Sequence, residues 1–110
     1  MNPVAVIHLV AAGLAVAAAR PLIQGRVPRN DWYGIRTAAA FASEETWREL
    51  NRHGGRLVQV WGFTMAGVGV VGLLLPRSWW IAYDLAALVP IVGGLGLVVF
   101  KIRQKSSGRT

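Results

Sequence analysis

Apolar residues in this chain are gathered into three blocks, Pro3 to Ala19, Val58 to Leu75 and Trp79 to Phe100, rather than spread at the spacing of a half-buried helix or strand. Each block runs about 17–22 residues with almost no charge, long enough to cross a hydrocarbon core of roughly 30 Å. The first block ends in Ala17-Ala18-Ala19, which looks like a signal-peptide cleavage site. No Lys or Arg precedes Arg20, however, so the basic n-region is missing and the block reads as a membrane helix. The pattern predicts an all-α membrane protein of one domain, with three transmembrane helices at about 3–19, 58–75 and 79–100.

The segments between the blocks are polar. Residues 20–57 form the long first loop, with Pro21, Gly25 and Pro28 as breakers near its start. A helix is expected to begin at Ser43, whose hydroxyl can cap free N–H groups, with Glu44 and Glu45 in the first turn where the helix dipole favours negative charge. From there Trp47, Leu50, Gly54, Leu57 and Trp61 fall on one face, with Glu44, Arg48, Asn51, Arg52 and Gln59 opposite. The simplest reading is an amphipathic segment at the interface that feeds into the second span. Gly54-Gly55 offers a bend, and an unbroken helix is the other option. Pro76-Arg77-Ser78 is a tight turn, Trp79 and Trp80 suit a headgroup boundary, and the tail 101–110 is basic and expected to fray at its end.

Charge changes the picture in one respect. The net charge of +7 does not indicate nucleic acid, because the basic residues flank apolar spans, where they set topology and meet anionic lipid headgroups. The first loop and the tail together hold eleven Lys and Arg residues, and the opposite side has only Arg77. The positive-inside rule therefore places loop and tail in the cytoplasm and the N-terminus outside. The chain has no cysteine, hence no disulfide and no thiolate, and two distant histidines make no metal site; no cofactor is expected.

Helices in a bilayer associate by close packing of small residues. Ala11, Ala15 and Ala18, then Gly62, Ala66 and Gly69, then Ala86, Pro90 and Gly94 supply such stripes, for packing within the chain or for a homo-oligomer. His8 and Asp84 are ionisable residues inside apolar spans at comparable depth. They either form a pair or reach headgroup water separately. Gln59 and Thr64 are expected to satisfy local hydrogen bonds.

The least generic stretch lies in the first loop. Arg36, Arg48 and Arg52 sit where anionic headgroups attract them, at roughly 1 kcal/mol per contact. Trp32, Tyr33 and Trp47 are amphipathic anchors, Gly34 permits a sharp turn, and Glu45 and Glu49 can pair with Arg48, Arg52 and His53 at helical spacing. The stretch is either a lid closing one end of the bundle or a binding surface. Asn30, Gly34, Arg36, Thr37, Glu44 or Glu45, Trp47, Asn51, Arg52 and Gly55 follow one another in an order and spacing that resembles the signature of the SdpI family of bacterial membrane proteins, named for an immunity protein against a secreted toxin. The resemblance covers roughly residues 28–56 and departs at Ala38-Ala39, where relatives often carry Pro-Trp.

The resemblance implies a non-enzymatic membrane protein of toxin protection or signalling, with Asn30, Tyr33, Gly34, Arg36, Thr37, Glu44, Glu45, Trp47, Asn51, Arg52 and Gly55 as its signature or binding residues. Its partners would be a peptide toxin or a cytoplasmic regulator. Two other readings stay open: a lipid-headgroup-binding protein or membrane enzyme using Arg36 and Arg52 with Glu44 or Glu45, and a small auxiliary subunit of a larger membrane complex. Against an enzyme, no nucleophile–base pair stands at readable spacing.

Overall fold

In the computed structural model, which describes residues 1–107, three helices are long and apolar enough to cross a membrane. The first, α1 (Pro3–Ile23), starts where Asn2 accepts a hydrogen bond from the Val4 N–H at 2.9 Å and Pro3 opens the first turn. A short α2 (Ala38–Phe41) is capped by Thr37, and α3 (Glu44–Leu74) by Ser43. At Ser43 the hydroxyl accepts from the Thr46 N–H and the Thr46 hydroxyl accepts from the Ser43 N–H, both at 3.1 Å. The third membrane helix is continuous from Arg77 to Ser106 but changes pitch. A 3₁₀ turn (Arg77–Trp79) leads into α4 (Trp80–Ala86), a π-helical turn (Val89–Gly93) surrounds Pro90, and α5 (Gly94–Ser106) completes it. A π turn at a proline is expected, because the ring removes an N–H and crowds the carbonyl one turn back.

Helix bounds differ from expectation at three places. Pro21 does not end the first helix, which continues to Ile23. In its last turn the Ile23 carbonyl accepts from the Arg52 Nε at 3.1 Å, and a turn earlier the Ala18 carbonyl accepts from the Tyr33 hydroxyl. The amphipathic segment and the second span are one unbroken 31-residue helix, the second of the two options at Gly54-Gly55. The start of the tail is helical through Ser106, and Thr37 and Glu49 hold it through contacts to Ser106 and Lys105. Residues 108–110, including Arg109, lie outside the described residues.

The main seam runs between α1 and α3. Gly55, Gly62 and Gly69 face Ala19, Ala12 and Ala5 in antiparallel register, and a Cβ on each glycine would stand 3.2–3.3 Å from the facing alanine's carbonyl oxygen. All six residues are buried. A seven-residue repeat keeps one face in contact along two crossing helices, and small residues let their backbones approach. The expected stripe in α1 was out of phase: Ala18 is exposed and Ala11 and Ala15 are half-buried, while Ala5, Ala12 and Ala19 form the contact. Ala11, Ala15 and Ala18 recur as regularly as the true set, so spacing alone did not choose between faces. In the third helix Ala86 likewise points outward, and Tyr83, Ala87 and Val98 are the buried residues.

The molecule measures 52 × 25 × 19 Å. A long axis of 52 Å exceeds the ~30 Å hydrocarbon core, so part of the structure stands outside the bilayer. That part holds the polar segment between α1 and α3, with the end of α5 beside it.

Candidate functional site

The polar segment folds into a cap over the ends of α1, α3 and α5. Asn30 organises its first turn: its Oδ1 accepts from the N–H groups of Trp32 at 3.0 Å and Tyr33 at 2.6 Å, and its Nδ2 donates to the Pro28 carbonyl at 2.8 Å. Gly34 then takes φ +104°, a conformation L side chains rarely adopt. Directly behind it stands Asn51, which is 2% exposed. Its Oδ1 accepts from the Ile35 N–H at 2.6 Å, and its Nδ2 donates to the carbonyls of Trp47 at 2.9 Å and Ile35 at 3.3 Å. The side chain thus pairs with both backbone groups of Ile35, as a neighbouring strand would. Asn51 lies inside rather than on the polar outer face expected for it: four residues after Trp47 and three before Gly54, it shares their buried face, and the chain that folds back onto α3 supplies its partners.

Trp47 is also buried, at 0% exposure, and is a core residue of the cap rather than an interfacial anchor. It packs with Ala40, Leu50 and Val27, and its indole N–H donates to the Val27 carbonyl at 2.8 Å. Trp32, in contrast, is exposed and free to meet a headgroup layer. Thr37 caps α2 and donates to the Ser106 hydroxyl at 3.0 Å. Arg36 donates to the Asp31 carbonyl, and Gly55 lets α3 approach α1. Of the acidic residues, Glu44 pairs with Arg29 at 2.9 Å, and Glu49 with Lys105 at 3.3 Å, not with a helical neighbour. Arg29 and Lys105 were not foreseen, since neither lies at helical spacing from its partner.

Glu45 is left facing outward. With Arg48, Glu49, Arg52, His53, Arg56 and Lys105 it lines an open groove of about 680 Å³ on the flank of the cap. Glu45 and Glu49 form one row, and Arg48, Arg52 and Arg56 an adjacent one, each at four-residue spacing on α3. Such a surface complements a partner with the opposite alternation of charge.

At the other end of the bundle the intramembrane polar residues are joined differently from the His8–Asp84 pair considered above. His8 is buried and its Nδ1 lies 2.7 Å from the Tyr83 hydroxyl, which donates to the Val68 carbonyl at 2.9 Å. Asp84 instead accepts from the Asn2 side chain at 3.1 Å. Adjacent residues on a helix point about 100° apart, so Tyr83 and Asp84 reach different neighbours. Thr64 donates to the Val60 carbonyl one turn back, at 2.9 Å.

The model of the SdpI/YfhL protein family matches residues 26–102, more than half of the chain. No curated protein and no solved structure shows a significant match. The matched region takes in the cap, all of α3 and the third helix through most of α5.

Proposed function

The chain belongs to the SdpI/YfhL protein family, and from that membership we propose that it is a non-enzymatic protein of the bacterial inner membrane acting in toxin protection or the signalling linked to it. The cap faces the cytoplasm in this reading, with the N-terminus outside, and its charged groove receives a partner. One observation supports this above the others. The signature's polar groups, Asn30, Thr37, Asn51 and the Trp47 indole, are engaged in holding the cap together, while Glu45, Arg48 and Arg56 on α3 stay open to solvent. Such a division suits a rigid platform with a recognition surface. It suits the alternative use of Arg36, Arg52 and Glu44 less well, because the two arginines donate to backbone carbonyls and Glu44 is held by Arg29.

The test is protection of a host sensitive to a secreted peptide toxin. Expression of the chain raises survival, and reversing the groove with Glu45→Lys and Arg48→Glu together abolishes that gain at unchanged membrane abundance. Full protection by the reversed variant, or no protection by the wild type, would overturn the proposal.

A further inference from the structure

A second groove opens between α3 and the third helix, and its chemistry is unlike that of the cap. Leu57, Trp61, Thr64, Leu97 and Val98 line it, it has a volume of about 270 Å³, and Lys101 is its one charged residue. Its shape follows from Pro90 and Gly94. The π turn offsets the helix at Pro90, the Trp61 indole N–H donates to the Pro90 carbonyl at 3.3 Å, and Gly94 admits the Trp61 ring where a Cβ would stand 2.6 Å from its Cδ1. From Pro90 to Lys101 the groove spans roughly 16 Å at the helical rise. That is half of a hydrocarbon core of ~30 Å, the depth of one leaflet.

Lys101 follows the last apolar residue of the span, so its ammonium lies at the headgroup boundary. It is in neither ion pair formed among the described residues, whereas Lys105, one turn further on, is held by Glu49. Below it the walls are almost wholly apolar: Thr64 is the only neutral polar side chain, and its hydroxyl is engaged with Val60. We propose that this groove is a site for an anionic phospholipid, with one acyl chain lying against Trp61 and Leu97 and the phosphate held by Lys101. The site does not depend on the partner groove of the cap, nor on which side of the membrane the cap faces.

The experiment uses the full chain purified in detergent and titrated with phosphatidylglycerol or phosphatidylcholine, with retained lipid counted by native mass spectrometry. The wild type retains one phosphatidylglycerol about fivefold more strongly than phosphatidylcholine, as expected for one headgroup contact at the membrane surface. Lys101→Gln loses the preference and Lys101→Arg keeps it. Leu97→Trp, which fills the groove from an exposed position, reduces retention of both lipids. Equal retention of the two lipids by the wild type would overturn the site, as would an unchanged preference in Lys101→Gln or wild-type retention by Leu97→Trp.

Discussion

At position 51 a single carboxamide oxygen stands 2.6 Å from the Ile35 N–H, and a Cβ at position 34 would stand 2.6 Å from that same oxygen. Gly34 and Asn51 therefore act on one contact from two sides. Asn51→Ala leaves the Ile35 N–H without its partner, at a cost of about 1–3 kcal/mol. Gly34→Ala adds backbone strain of about 1–3 kcal/mol and displaces the carboxamide. Both substitutions are expected to lower the thermal midpoint in detergent micelles and to raise proteolysis within residues 24–43, while membrane insertion is retained. At the other end, His8→Ala and Tyr83→Phe are expected to be non-additive, with a coupling of about 0.6 kcal/mol and at most ~1.7. His8→Ala and Asp84→Ala should add. The reverse ranking in a double-mutant cycle on unfolding would contradict the contacts seen here.

At the scale of elements, what could be read from sequence was whatever depended on local chemistry. The three apolar spans, the Ser43 start of α3 and the turn at Gly34 follow from length, capping and conformational freedom, and each is present. What depended on a distant partner was not legible. Asn51, four residues after Trp47 and three before Gly54, falls by its spacing on their buried face; what spacing could not give is its partner, the backbone of Ile35 on the returning chain. The alanine stripe of α1 was a choice between two equally regular sets, decided by where the glycines of α3 lie. Those glycines differ sharply in surroundings, which makes the seam testable. Gly62→Val places a branched side chain against Val16 and the Ala12 carbonyl, and is expected to destabilise by about 1–3 kcal/mol. At Gly67 on the same helix a Cβ would meet no other part of the molecule within 4 Å, and Gly67→Val is expected to be near neutral in the same thermal unfolding assay.

For the whole molecule, α1, α3 and the third helix alternate in direction, which brings the polar segment and the start of the tail to one end. The basic residues of loop and tail accumulate at that end, leaving Arg77 at the other, where it lies 5.5 Å from the Trp80 ring. The positive-inside rule turns this asymmetry into an orientation. Because the chain has no cysteine, any introduced thiol is a unique reporter. The most direct measurement places one cysteine at the exposed Glu45 of the cap and, separately, one at Ser78 in the opposite turn, and labels cells with a membrane-impermeant maleimide. Ser78→Cys is expected to react in intact cells and Glu45→Cys only after permeabilisation. Reaction of Glu45→Cys in intact cells would contradict a cytoplasmic cap and the function built on it.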